Sequence, residues 1–162
     1  MGQVSFHSDT VPVDVSGEAR EVLDEPIEIA GNSLRYYAAT IGNPHCVIPT
    51  DELSEQSARE LGPLLEHPAL FPNRTNVQFL KILDRNRIRI EIWERGAGCT
   101  LACGTGACAT VVAGVIEGHV DRKCVVELPG GPLEIEWREI DDKIIMTGPA
   151  EPTFEGTTAL GV

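Results

Sequence analysis

The sequence predicts an α+β fold: a mostly antiparallel, barrel-like β-sheet wrapped around one central apolar helix, with a second helix on the surface. Three observations carry this. Short runs alternate apolar and polar residues at the period of a strand, as in Ile88, Ile90 and Ile92 against Arg87, Arg89 and Glu91. Gly 16 and Pro 11 punctuate 162 residues, which favours short elements and tight turns over a helical bundle. Finally, the 18 residues from Cys99 to Ile116 carry no charge. That is long enough for a transmembrane helix to be considered, but its first two thirds are Gly, Ala, Thr and Cys and no basic flank marks it. A helix apolar on all sides and lying inside a sheet is the better reading. With 42% apolar residues the chain can bury roughly 68–70% of its unfolded surface, enough for one substantial core.

In chain order, Ile27–Ala30 and Leu34–Ile41 are β-prone runs on either side of Gly31-Asn32-Ser33, an expected hairpin. Residues 52–66 read as the surface helix, because Leu53, Ala58, Leu61, Leu64 and Leu65 recur near a 3.6 period and Pro68 follows. Asn76–Leu83 and Arg87–Glu94 form an antiparallel pair about Asp84-Arg85-Asn86. Beyond the apolar helix, Lys123–Leu128 and Leu133–Trp137 flank Pro129-Gly130-Gly131-Pro132, and Lys143–Thr147 gives a last strand. The stretches before Glu18 and after Pro149 lack periodicity and read as ends in need of a partner, or as mobile ends. At 162 residues the chain is one large domain or two small ones.

Lys+Arg 13 against Asp+Glu 25 gives a net charge of -12, which repels nucleic-acid phosphates and anionic membrane surfaces. No secretory signal is apparent. The five cysteines (Cys46, Cys99, Cys103, Cys108, Cys124) are odd in number and clustered, and read as reduced thiols of a cytoplasmic protein. Their Cys-x3-Cys and Cys-x4-Cys spacings, without a partner histidine pair, fit no metal site.

The chemistry is concentrated in residues 94–109. A strand ends at Glu94-Arg95, a Gly-containing loop follows, and the apolar helix begins near Gly104. Cys103 is thereby placed at a helix amino terminus, where free N–H groups and the positive dipole end favour anions. Such a thiol is expected to have its pKa lowered from about 8.5 towards roughly 3.5–7.5, and to be the most reactive of the five. The N–H groups of Gly104, Thr105 and Gly106 could hold a carboxylate or phosphate. Cys108 reads as a core residue, and Cys99 and Cys124 as structural. A second cluster, Gly42-Asn43-Pro44-His45-Cys46, is either an ordinary turn or a site where Asn43 offers its amide to a ligand and His45 acts in acid–base exchange. His7, His67 and His119 read as surface residues.

Five ordered segments resemble diaminopimelate epimerase: Gly42-Asn43-Pro44-His45-Cys46, Arg74-Thr75-Asn76, Glu94-Arg95-Gly96-Ala97-Gly98, Ala102-Cys103-Gly104-Thr105-Gly106-Ala107-Cys108-Ala109 and Glu127-Leu128-Pro129-Gly130-Gly131. The resemblance implies a two-lobed fold akin to proline racemase and the phenazine-biosynthesis isomerases. It also implies a cofactor-independent exchange between LL- and meso-diaminopimelate, on the route to lysine and peptidoglycan precursors. Two cysteines, one from each lobe, would serve as acid and base. Cys103 matches the cysteine of the carboxy-terminal lobe. Gly104 and Thr105 match the positions that hold the reacting carboxylate. Glu94 and Arg95 match those that grip the ammonium and distal carboxylate, and Asn43 and Asn76 match amide contacts. His45 and Glu94 are expected to move protons to and from the thiols.

The chain departs from the family in lacking the Gly-Asn-Asp-Phe start and the Cys-Gly-Asn-Gly-x-Arg-Cys segment, so it resembles the carboxy-terminal lobe alone, which implies a single domain over residues 1–149 and a tail, 150–162, that would cross to the amino-terminal lobe. Cys99 also stands where relatives usually have Glu. The expectation is half of an epimerase, inactive by itself, whose partners are an amino-acid substrate and an amino-terminal lobe. The tail and an apolar rim around Ile41 and Trp93 would be left uncovered, inviting self-association. The alternatives are a homodimeric racemase that pairs two Cys103 thiols, and a non-catalytic carboxylate-binding module.

Overall fold

The computed structural model describes residues 1–67 and 69–159. Its elements, in order, are β1 (Glu25–Ile29), β2 (Asn32–Thr40), β3 (Pro44–Pro49), α1 (Glu55–Glu66), β4 (Asn76–Asp84) and β5 (Arg87–Glu94). They continue with β6 (Gly98–Cys99), α2 (Gly104–Ile116), β7 (Lys123–Leu128), β8 (Gly131–Trp137) and β9 (Ile144–Thr147). The sheet runs β1-β2-β3-β4-β5-β7-β8-β9, with β6 paired to β5. The pairs β3–β4 and β5–β7 are parallel and the others antiparallel. Parallel neighbours need a long crossover, and the two helices supply them: α1 between β3 and β4, α2 between β5 and β7.

The α+β class and both helices agree with the sequence reading, but the barrel-like wrapping does not. The sheet is mixed and open, its path ending at β1 and β9. Residues near the amino terminus add isolated bridges, Gly2 to Ile144 of β9 and Ser5 to Thr40 of β2. Three local readings also change. The hairpin turn is Ala30-Gly31, with φ of 50° and 79° and Ile29 opposite Asn32, which is the positive-φ geometry of a tight two-residue turn. Strands β3 and β6 were not anticipated. The stretch before Glu18 packs rather than awaiting a partner, with Phe6, Val11 and Val13 buried.

Strands β2 to β4 are buried on both faces, which the two-residue period sorts into two cores. Tyr37, Ala39, Val47 and Leu80 face α2, with Ile88, Ile90 and Ile92 of β5. Tyr36, Ala38, Cys46, Ile48, Val77 and Phe79 face α1, with Leu65 and Phe71. Helix α2 is enclosed from Gly106 to Gly114 and touches β2, β3, β4, β5, β7, β8 and β9, as its charge-free sequence requires. Trp93, expected on an open rim, packs instead against the α1 side, and Ile41 lies partly buried against the α2 core. Residues 150–159 are exposed and irregular, and the last three residues of the expected tail fall outside the described residues.

Candidate active site

Cys103 is the N-cap of α2, with extended backbone at φ -138° and ψ 102°. Its thiol lies 3.7 Å from the Thr105 hydroxyl. The expectation of a lowered pKa is overturned. Burial pushes the thiol upward; the Thr105 hydroxyl and the Gly106 N–H oppose it, the Glu94 carboxylate adds to it, and the net shift is up. The helix terminus does act on the sulfur, but Cys103 is only 7% exposed, and desolvation of the thiolate outweighs the dipole.

Glu94 ends β5 and accepts a hydrogen bond from the Thr100 hydroxyl at 2.5 Å, which draws the following loop back over the strand end. Gly96 and Gly98 turn that loop at φ 79°, a conformation that favours glycine. The β7–β8 turn supports it from outside. Gly130 donates its N–H to the Leu101 carbonyl at 2.7 Å, and a Cβ at Gly130 would stand 2.8 Å from that oxygen. Above the helix terminus, Met146 of β9 covers Gly104, its sulfur 3.0 Å from where a Cβ on Gly104 would be.

The other residues singled out in the sequence gather at adjoining strand ends, where His45 is in register with Asn76. Asn76 donates to the Pro44 carbonyl at 2.8 Å and accepts from the Arg95 N–H at 3.0 Å, so its amide ties β3, β4 and β5 together. Arg95 is exposed, one guanidinium nitrogen donating to the Asn73 carbonyl at 2.9 Å. His45 is fully buried. Its Nδ1 lies 3.0 Å from Gln78 Oε1 and its Nε2 3.1 Å from Asn43 Oδ1. Burial lowers its pKa to about 4, with the Gln78 hydrogen bond opposing and the Arg95 charge assisting. The ring is therefore neutral at physiological pH.

Three contributors escaped that reading. Gln78 links the two clusters, since its amide touches His45 and also lies against Gly106 in the first turn of α2. A polar residue on the α2-facing side of β4, in line with Leu80, was the available signal. Glu66, at the end of α1, accepts from Trp93 Nε1 at 2.6 Å, from the Gly96 N–H at 3.0 Å and from Arg74. It thus anchors the loop that follows Glu94. Met146 carried no signal, because only the fold brings β9 over α2.

The remaining cysteines follow expectation in part. Cys46, Cys108 and Cys124 are buried, and burial pushes their thiols upward, to about 12 for the last two. Cys99 is partly exposed and lines a cleft of about 190 Å³ with Arg59, Glu55 and Glu91. Among the described residues no group of three or more His, Cys, Asp or Glu side chains could hold a metal ion, and no helix is long and apolar enough to cross a membrane.

Residues 37–153 match the sequence profile of diaminopimelate epimerase. The chain is 46% identical over 156 residues to the diaminopimelate epimerase of Synechocystis sp., covering 96% of this chain and 56% of that protein. It is 47% identical over 164 residues to the chloroplastic diaminopimelate epimerase of Oryza sativa subsp. japonica, covering 97% of this chain and 46% of the relative. The chain thus spans about half the length of the curated relatives it matches. Among solved structures, a hydroxyproline epimerase from Agrobacterium vitis with bound trans-4-OH-L-proline superposes with a TM-score of 0.54 at 17% identity, covering 72% of this chain and 40% of that one. That likeness speaks to the fold. With a profile match over most of its length and its motifs gathered around one helix terminus, the chain belongs to the diaminopimelate epimerase family.

Proposed function

We propose that this chain carries the Cys103 half of a cofactor-independent epimerase that inverts the α-carbon of diaminopimelate. The observation that carries the reading is Cys103 at the N-cap of α2 with the Glu94 carboxylate beside its thiol. Inversion removes a proton from one face of the carbon and returns one to the other, so it needs two acid–base groups. One thiolate takes the α-proton and the C–H electron pair delocalises into the adjacent carboxylate. A thiol on the opposite face then gives up its proton to the carbon. The N–H groups of Gly104 and Thr105 would stabilise the enediolate charge in between. Burial raises the Cys103 pKa, and Glu94 is placed to exchange its proton, so that the thiol can serve as acid for one isomer and as base for the other.

The second base is read as belonging to an amino-terminal lobe. Of the other cysteines, three are buried and Cys99 lies in a different cleft. Leu101 is 70% exposed and Met146 38%, an apolar border beside Cys103 of the kind a second lobe, or a second copy, would cover. Residues 150–159 extend from the same strand, β9, and are read as reaching onto that covering surface.

Solvent-deuterium incorporation at the α-carbon of diaminopimelate tests this. Exchange is expected when the 162-residue chain is mixed with a separately produced amino-terminal lobe, to be absent with the chain alone, and to be lost with Cys103→Ser. Exchange by the chain alone would favour a dimer pairing two Cys103 thiols. No exchange in the mixture would favour a binding module.

A further inference from the structure

We infer that Gln78 sets the ring tautomer of His45, and that the two together fix the side-chain amide of Asn43 so that its N–H groups are left to donate to a ligand carboxylate. The inference rests on Asn43 being a substrate contact, as read above. The roles of Gln78 and His45 here are positioning ones.

His45 is fully buried and its two ring nitrogens face two side-chain amides, Gln78 at 3.0 Å and Asn43 at 3.1 Å. A neutral imidazole has one N–H and one lone pair, so it cannot donate to an amide oxygen on both sides. An imidazolium could, but burial and the Arg95 charge keep the ring neutral. With Oε1 turned toward His45, moreover, the Gln78 nitrogen is buried with no acceptor. It then lies 2.8 Å from where a Cβ on Gly106 would stand, against the first turn of α2, which itself presents N–H donors and the positive end of the helix dipole.

Half a turn of the Gln78 amide resolves both conflicts without moving any other atom, because amide oxygen and nitrogen occupy nearly the same space. The Gln78 N–H then donates to His45 Nδ1, and its oxygen faces the donor-rich first turn of α2. His45 keeps its proton on Nε2 and donates to Asn43 Oδ1. Turning Asn43 instead would satisfy the ring but leave the Gln78 nitrogen buried and unpaired, the costlier arrangement. The direction Gln78 to His45 to Asn43 therefore follows, and Asn43 has its oxygen engaged and its nitrogen available. Gly106 belongs to the same device, since the absence of a Cβ makes room for the Gln78 amide.

Nitrogen-15 spectra of the histidine rings in the 162-residue chain read the tautomer directly, the His45 signal being identified by its loss in His45→Gln. A neutral ring protonated at Nε2 is expected throughout about pH 5.5 to 8.5. A ring protonated at Nδ1, or one that titrates to imidazolium in that range, overturns the inference. In Gln78→Glu an ionised carboxylate can only accept, so Nδ1 should become protonated, whether in the neutral tautomer or in the imidazolium. A folded variant whose Nδ1 stays bare at about pH 8.5 also overturns the inference, and if the variant does not fold the wild-type spectrum decides alone. Protection of Cys103 from iodoacetamide by meso-diaminopimelate should require about tenfold more ligand in Gln78→Glu, the loss of one hydrogen bond to a charged group. Absence of any protection in the wild-type chain would count against the proposed function, while the tautomer would still be read.

Discussion

A Cβ at position 62 of α1 would stand 2.5 Å from Cγ of the Trp93 indole, so helix and strand meet at a separation that only glycine permits. One turn further along the helix, Glu66 accepts the indole N–H at 2.6 Å. Trp93 is thus held sterically by one helical position and polar-bonded by the next on the same face. Gly62→Ala gains helix propensity of up to about 1 kcal/mol but must push the ring away, an overpacking cost of about 1–3 kcal/mol. A net loss of stability is expected in urea unfolding, with a changed Trp93 emission. An unchanged or higher midpoint would contradict so close a contact.

Glu66→Gln tests the other half of that anchor. Burial alone would raise the Glu66 pKa; the bonds from Trp93, Arg74 and the Gly96 N–H outweigh it, and the net shift is down. A carboxyl whose pKa is lower folded than unfolded stabilises above its unfolded value and loses that contribution as pH falls through the folded one. The variant should therefore be less stable by about 1.5–3 kcal/mol at neutral pH, and the gap should close below about pH 4. A gap that persists at low pH would mean that shape, not charge, is what Glu66 supplies.

His45 gives a different window. Its pKa is lowered to about 4 in the folded chain, so between about 6.5 and that value the unfolded state binds the proton that the folded state refuses. Stability should fall as pH drops through this range, by up to about 3 kcal/mol. His45→Gln should flatten the dependence even though it is itself destabilising. A wild-type chain equally stable at pH 7 and pH 4.5 would mean that the ring is hydrated rather than buried.

The strands and helices that alternate or stay charge-free over many residues were legible in the sequence. Ile88, Ile90 and Ile92 gave away β5, and the uncharged run ending at Ile116 gave away α2. Strand β3 escaped because it is buried on both faces and opens with Pro44, so that Cys46-Val47-Ile48 shows no alternation. Sheet closure was misjudged because it depends on whether the end strands β1 and β9 pair with each other, a long-range matter that no local pattern encodes. At the site, Cys103, Glu94, His45 and Asn43 stood out by residue type, and the N-cap position of Cys103 was readable from the glycines after it. The direction of its pKa was not, because Cys103 is buried in the core around α2, whose members arrive from strands spread along the whole chain.

That change of sign alters the labelling order expected of the thiols. Cys99 is partly exposed in a cleft with Arg59; burial raises its pKa and the Arg59 charge opposes the rise. Cys103 is 7% exposed, its pKa is raised first by burial, and Met146 covers the neighbouring Gly104. The thiolate is the reacting species and burial raises both pKa values, so it is access that favours Cys99. Brief iodoacetamide treatment near neutral pH, with sites assigned by fragment mass spectrometry, should modify Cys99 first and Cys103 more slowly. Cys46, Cys108 and Cys124 should be spared while the chain stays folded. The Cys103 rate should climb with pH beyond the ordinary thiol value of about 8.5, because a raised pKa delays the thiolate. Met146→Ala should speed Cys103 and leave Cys99 unchanged, separating the effect of cover from that of charge. Fast labelling of Cys103 at pH 7, independent of Met146, would instead mean that the helix terminus governs the thiol after all.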